Sequence, residues 1–594
     1  MALADGSRDG GWSGSAILGG WIACVCCLLA VVVMGWVAED GYISMRYASN
    51  LLAGEGLVFN RGERVQGFTH PLWLGLLSGA MVFLPGYAAA ISLGFALTGV
   101  LLWALWRLCA GLGMGVAGLL AVLAVLFSSN SFLSYQTSGL ENSLTHVLIV
   151  GMLLGLVRLS GSGRWALQPP VGGVGSGAGG AAFAVGLLGG LLALNRLDLA
   201  LIAGVMGTGG LVLAVSRAAR VRLVLGAAVG GGLVLLWLGF SAFYFGMPLP
   251  NTAAAKLGSM GAGESLAQSL IYVADFGNHE PVGLLVLTAG LAGAAGLLVL
   301  GVRALEGAKY AETMGAEVGA RQRRLMAVIG LGATAYVGYL LLIGGDYMRG
   351  RLLTAPLLLA GIVWVWLLGR FLPWRGMLLA AGLMCLSALG VWLVQSYRAA
   401  PRSVSAGGLT DERLYYGEQH LFATSREMLL DRRPEAARYF HRYMQDTGER
   451  LAISHWNMGI IPWRTQESVI WVDRFGLTDS FVARCPAVAG SRVGHVERRI
   501  PRAYLRYRGC IDALPDWERY LGRDSAGLRQ RVEAGMADPA WPSEAARRLA
   551  EELAVLQRGP LWAEGRWRLV IRHSLQTIRL GDQDVGTDVV GVPY

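Results

Sequence analysis

Residues 37–70 read VAEDGYISMRYASNLLAGEGLVFNRGERVQGFTH. They follow one of the most apolar runs in the chain, residues 17–37, which is long enough to cross a bilayer as a helix. Two adjacent carboxylates, Glu39 and Asp40, therefore stand at the lip of a membrane. Behind them, ISMRYASNLLAG has the pattern of a short amphipathic helix lying in the interface. GLVFNRGERVQGFTHPLW has that of a glycine-broken loop returning to the membrane surface. An ionisable group inside the membrane costs about 2.5–3.5 kcal/mol on insertion scales, so a pair of them marks either a solvated helix end or a site.

The rest of the chain fits that setting. Of its 594 residues, 54% are hydrophobic and 15% charged, where a soluble protein carries about 25% charge. The mean hydropathy is +0.49. Residues 1–396 are a series of apolar blocks, and 397–594 have the composition of a soluble domain. The expected architecture is mainly α: a polytopic transmembrane helix bundle over 1–396, then an extracytoplasmic α+β domain over 397–594, where stretches such as ESVIWVDRF suggest strands. About eleven spans are expected, near 17–37, 88–108, 112–129, 142–159, 180–194, 197–215, 222–245, 281–302, 325–344, 352–371 and 376–396. A further block, 71–84, is short and closed by Pro85-Gly86.

Arginine placement decides whether 71–84 crosses. If it does not, Arg107, Arg158 with Arg164, Arg217 to Arg222, Arg303 to Arg324 and Arg370 with Arg375 all fall on the inner side. If it does, every cluster lies outside. The positive-inside bias selects the first arrangement, with residues 397–594 outside. The 17–37 segment is too long for a typical signal-peptide core, and no A-x-A site precedes Glu39, so it is expected to be an uncleaved first helix.

The net charge is +10, and with only Lys256 and Lys309 as lysines, 48 of the 50 basic residues are Arg. Their place in short loops between apolar blocks speaks for topology, not nucleic-acid binding. Cys485 and Cys510 are the two of seven cysteines outside the apolar blocks, and a disulfide between them is expected if the domain faces an oxidising compartment. No metal-ligand spacing, Walker motif, dinucleotide fingerprint or HExxH is present.

The same topology brings EDGYISMRY, SYQTSGLENS, LNRLDLA, PLPNTAAAK and GGDYMRGR to the outer face, as if to line one cavity. Glu39 and Asp40 suit a general base or a carboxylate that holds a hydroxyl nucleophile. Arg46 could reach a phosphate, pair with a carboxylate or snorkel. His70 could bind a substrate hydroxyl or face water. Asp346 with Arg349 and Arg351 forms either a phosphate fork or a structural clamp, with Lys256 as a point charge nearby. Asn195, Arg196 and Asp198 could bind sugar hydroxyls or brace helices. With no ATP site, driving energy must come from an activated substrate or an ion gradient. A transporter or flippase is the alternative of another class, and an assembly protein a third. Transporters place coupling charges near the midplane and carry internal repeats, neither of which is visible here.

EDGYISMRYASNLLAGEGLVFNRGERVQGFTHPLW resembles the first outer loop of the GT-C membrane glycosyltransferases, most closely the terminal β-(1→2) arabinofuranosyltransferase group. There a pair of acids precedes the pattern R-x-x-x-N-L-L-x-G-x-G-x-V-F-N-x-G-E-R-V-E. This chain supplies Arg46, Asn50, Gly54, Gly56, Asn60, Gly62, Glu63 and Arg64, and departs with Gln66 for the usual Glu and Glu39 where Asp is commoner. The similarity extends to TSGLEN with Glu141, PNTAAAK with Asn251, GGDYMRGR, VDRFGLTDSFVAR (472–484) and RVGHVERRIP with His495 (492–501). It implies a glycosyltransferase of a bacterial plasma membrane, acting on the outer face without metal or other cofactor. The donor would be a polyprenyl-phosphoryl sugar, D-arabinofuranose leading, and the acceptor an arabinan-like glycan or a glycoprotein. Asp40 would be the matching catalytic carboxylate, and the polyprenyl phosphate would sit near Arg349, Arg351 and Lys256. A β product from a β-linked donor is retention, which sits badly with a single general base acting by inversion, so the exact role of Asp40 stays open. Trp456, Trp463, Trp471, Trp517, Trp541, Trp562 and Trp567 could stack on sugar rings or fill the core of the outer domain.

Overall fold

The computed structural model describes residues 14–161, 176–256, 261–299, 316–398, 404–405, 407–417, 420–421, 435–465, 468–492, 494–510, 529–530, 540–575 and 578–586. Arg164, Arg303, Lys309 and Trp517 lie outside the described residues. The chain is mainly helical, and among the described residues eight helices are long and apolar enough to cross a membrane: Gly14–Val33, Gly86–Gly111, Asn142–Leu159, Arg217–Phe245, Pro281–Val299, Gly319–Ile343, Arg351–Phe371 and Trp374–Val391. Shorter apolar helices occupy Pro71–Met81, Gly115–Phe127, Gly179–Asn195 and Leu197–Leu213. Each expected span thus has its helix, and 71–84 holds a helix of only 11 residues. Such a length spans about 17 Å, half of what a bilayer core needs. The protein is a multi-pass membrane protein.

Two compact units divide the chain. The first comprises Met1–Trp36, Ser92–Val234 and Gly263–Phe422. Some of its helices approach closely where glycine removes a side chain. A Cβ on Gly290 would run into the backbone of Ala360, and one on Gly190 into that of Gly230. That is how helices pack where no hydrophobic effect drives them together. Its outer helices show bare apolar faces: Leu18, Trp21, Leu29 and Val33 on the first, Leu379 and Leu386 on the last are all more than half exposed. Lipid, not water, suits such a surface.

Within this unit the arginine-bearing turns gather. The Arg370 guanidinium donates to Gln322 Oε1 at 2.9 Å, and Gln322 Nε2 donates to the Leu112 carbonyl at 3.3 Å. Gly161, in the turn after Arg158, lies against the Arg321 guanidinium. Turns that the positive-inside bias assigns to one side are therefore on one end of the unit.

The second unit comprises Val37–Ile91, Leu235–Ala262 and Ala423–Tyr594. The chain does not divide at 396 as its composition suggests: the first loop and residues 235–262 pack with the C-terminal region. The physical reason is a shared apolar core. Ile43, Tyr47, Phe59, Phe68 and Leu74 from the first loop meet Leu451, Ile453, Val469 and Trp471 of a two-stranded parallel sheet, β1 (Leu451–His455) and β2 (Val469–Asp473). A second core joins Val472, Phe481, Val482, Ile500 and Tyr504 to Leu549, Leu553 and Leu556 of the Glu544–Gln557 helix. Ser543 caps that helix by accepting from Ala546 N–H at 3.1 Å.

Three expectations change here. The Glu39–Leu52 helix forms, but it does not lie half-immersed in an interface: Tyr42, Met45, Tyr47 and Ala48 are fully buried, and Arg46 is 3% exposed. The α+β domain contains, among the described residues, one sheet of two strands. Cys485 and Cys510 share the second core but stand as thiols, and burial pushes the Cys485 thiol up. Trp463 and Trp471 are core residues, Trp456 and Trp541 are half-buried, and Trp562 and Trp567 are exposed.

Candidate active site

Glu39 and Asp40 open the Glu39–Leu52 helix, where the positive end of the helix dipole favours carboxylates. They differ in surroundings. Glu39 is buried and accepts from the Gly459 N–H at 2.5 Å. Burial first, and the Asp40 charge second, push the Glu39 carboxyl up to about 8, so it holds its proton at neutral pH. Asp40 is partly exposed and is the carboxylate of the pair open to solvent. The contact with Gly459 leaves no room for a side chain, since a Cβ there would collide with the Glu39 carbonyl.

Gly459 ends the loop that leaves β1. The loop that leaves β2 begins at Asp473, a fully buried acid that accepts from Phe475 N–H at 2.9 Å and Thr478 N–H at 2.8 Å. Burial raises its carboxyl to about 7. Both loops emerge from the carboxyl ends of parallel strands, whose register pairs His455 with Asp473. Arg474 lies over the Trp456 ring at 4.4 Å. Two protonatable acids and one accessible carboxylate thus belong to one compact unit, a set able to move a proton to or from a hydroxyl.

Most other candidates in this unit are braces. Arg46 donates to the carbonyls of Phe59 at 2.8 Å, Val469 at 3.3 Å and Pro462. Asn60 donates to the Trp471 carbonyl at 2.8 Å and accepts from its N–H at 3.0 Å, as a neighbouring strand would. Arg64 donates to the Tyr244 carbonyl at 3.2 Å and to that of Gly559. His70 Nε2 is 2.7 Å from Ser44 Oγ. Asn251 donates to the Gly476 carbonyl at 2.6 Å. His495 is half-buried, edge-on to Phe475, and Lys256 is exposed. The family-like spacing from Arg46 to Arg64 records how the loop docks on the sheet. Glu63 is visible in the sequence only as a letter of the family-like pattern; its partner is not: Arg508 grips its carboxylate at 2.7 and 2.8 Å while also holding Asp479 at 2.7 Å. Burial opposes the charge on Glu63, but Arg508, Arg558 and Asn60 outweigh it and hold the carboxyl low.

The remaining candidates lie in the other unit, so the five polar connections do not all join one compact body. Glu141 accepts from Arg196 at 2.8 Å and Arg351 at 2.9 Å. Arg196 also holds Asp198 at 2.8 Å, and Tyr336 Oη donates to Asp198 at 2.9 Å. Asn195 donates to Thr145 Oγ1 at 2.9 Å and the Glu141 carbonyl at 3.2 Å. Asp346 stands 3.7 Å from Arg351, and Arg349 pairs with Asp275 at 2.7 Å and Asp411 at 3.8 Å. Each arginine meant for phosphate already has carboxylates, and acids outnumber guanidiniums in both sets. This is the clamp, not the fork.

No family model matches the chain. It is 32% identical over 344 residues to the terminal beta-(1->2)-arabinofuranosyltransferase of Corynebacterium glutamicum, a match covering 54% of this chain and 46% of that protein. Its curated relatives are arabinofuranosyltransferases. The one from Mycobacterium tuberculosis is likewise 32% identical, over 349 residues, with 54% of this chain and 51% of the other covered. The chain spans about half the length of the arabinofuranosyltransferases it matches. Solved structures of ArnT from Cupriavidus metallidurans overlay with TM-scores of 0.43, bound to undecaprenyl phosphate, and 0.42 in the apo state. They share 12% and 13% identity, over 78% of this chain in each case and 86% and 87% of those chains.

Proposed function

We propose that this chain is a membrane glycosyltransferase that moves a sugar from a polyprenyl-phosphate donor to a hydroxyl of a cell-envelope glycan on the outer face of the membrane. The sugar is D-arabinofuranose, on the strength of the arabinofuranosyltransferase relatives. The observation that carries the chemistry is the division of labour in the acid pair. Glu39 is buried and protonated, while Asp40, beside it, is accessible. In this proposal Asp40 takes the proton from the acceptor hydroxyl, or attacks the donor carbon, and Glu39 keeps the helix start neutral enough to stay buried. No metal takes part. The sidedness rests on the arginine turns gathered at one end of the first unit and on the positive-inside bias.

The test pairs wild type with Asp40→Asn in liposomes holding labelled polyprenyl-phosphoryl arabinofuranose and a short arabinan acceptor. Wild type should move label into water-soluble product, and the folded variant should lose at least a hundredfold of that rate. Equal transfer by both would remove Asp40 from the chemistry. Label crossing the bilayer without transfer would replace the enzyme by a flippase.

A further inference from the structure

The loop that leaves β2 runs on into a turn, 482–484, that carries an arginine with an unusual set of partners. Arg484 is 5% exposed, yet among the described residues it donates only to the Ser480 carbonyl at 2.7 Å and to the thioether of Met247 at 2.9 Å. Arg498 is 4% exposed and donates to the carbonyls of Cys485, at 3.0 Å, and Ala255. Its Nε has no hydrogen-bond partner among the described residues. Neither guanidinium meets a carboxylate among the described residues. Asp479, the acid that acts on Arg484 at longer range, is engaged by Arg508 at 2.7 Å and Tyr504 Oη at 2.9 Å.

More positive charge converges on the same place. Arg579 donates to the carbonyls of Ala483 at 3.4 Å and Ala254 at 2.8 Å. Arg498 and Arg579 therefore each bridge the end of the Asn251–Lys256 helix to the 483–485 turn, with Arg484 between them. Lys256 closes that helix, and its charge, with that of Arg492, adds to burial in holding His495 down at about 3. Burial and the Arg579 charge pull both Arg484 and Arg498 down to about 10. Cations taken out of water without a counter-ion are among the most costly arrangements a fold can hold. Carbonyl oxygens at the end of one helix turn offset only part of that cost.

We propose that Arg484, Arg498 and Lys256 form an anion subsite that takes a phosphate ester. Guanidinium forks and an ammonium are the groups that match phosphate oxygens. The thioether of Met247 holds a position that an oxyanion would fill better. The loop from Asp473 to Cys485 runs from an acid whose charge acts on Glu39 to the turn that carries the subsite. Assigning it to the phosphate of the lipid-linked donor rests on the transfer proposed above, and it moves that phosphate away from Arg349 and Arg351.

The experiment measures binding to the purified full chain in detergent by thermal shift and by direct titration. The probes are undecaprenyl phosphate, undecaprenol and inorganic phosphate. Wild type should bind undecaprenyl phosphate and not undecaprenol. Arg484→Gln and Lys256→Gln should each weaken that binding at least tenfold, whereas Arg349→Gln should weaken it less than twofold in protein that stays folded. Lys256 is exposed, so its variant keeps the test open even if Arg484→Gln unfolds. Unchanged affinity in Lys256→Gln and in folded Arg484→Gln, or equal binding of undecaprenol, would overturn the subsite. Inorganic phosphate binding as tightly as the lipid would keep the subsite and overturn its link to a lipid donor. Lipid binding that these variants lose, in a protein that transfers no sugar, would keep the subsite and overturn the proposed activity.

Discussion

At the scale of single residues, the acid pair shows why neighbouring letters need not play equal parts. Glu39 and Asp40 are both visible in the sequence, and so is their place after an apolar run. Which of them is buried is not, because that depends on Gly459, 420 residues away. A raised carboxyl has a stability signature of fixed sign. The unfolded chain loses the Glu39 proton near 4.5 and the folded chain holds it to about 8. Between those values the folded state binds the extra proton, so stability falls as pH rises and levels off above 8. Asp473, raised to about 7, acts in the same direction. Glu39→Gln should flatten the decline in melting temperature between pH 5 and 8 that wild type shows; a parallel decline in both would remove Glu39 as its source. Gly459→Ala should cost about 1–3 kcal/mol, as overpacking does, and lower transfer with it, read by thermal melting and turnover together. A variant as stable and active as wild type would mean that this contact yields freely.

At the scale of elements, the first loop is where sequence pattern and structure agree on importance and differ on meaning. Arg46, Asn60 and Arg64 invite assignment to a substrate because they are polar, regularly spaced and near a membrane. The structure gives their hydrogen bonds to backbone: carbonyls of Phe59, Val469, Trp471 and Tyr244. Nothing local in the sequence announces this, since the strands that receive the loop lie some four hundred residues on. Asn60→Ala should remove both bonds to Trp471 and destabilise the protein by about 1–3 kcal/mol, seen as a lower melting midpoint with little change in the Michaelis constant for donor. A raised Michaelis constant at unchanged stability would return Asn60 to the substrate. GGDYMRGR was legible as a place where Asp and Arg meet, and both the clamp and the fork fit that spacing. Only the presence of Glu141, Asp275 and Asp411, from distant parts of the chain, decides for the clamp.

At the scale of the whole molecule, the helices were the most legible feature, because apolar runs of about twenty residues and the arginines between them follow from the bilayer itself. A reporter enzyme active only outside the cytoplasm, fused after residue 594, should be active, and one fused after Arg222 should be silent; the reverse would invert the topology. The division into compact units was not legible, since it depends on which apolar faces find one another and not on where composition changes. That division has a consequence for how the protein is made. The second unit is assembled from three stretches, the first ending at Ile91 and the last starting at Ala423. At roughly 5–20 residues per second of synthesis, the first loop leaves the ribosome on the order of 20–80 s before its sheet exists. Throughout that interval Tyr42, Phe59 and Phe68 have no core to enter, so the nascent chain must be shielded by lipid or by a chaperone. A ribosome that stops before β1 leaves behind a membrane protein whose candidate catalytic acids have never met the glycine that positions them.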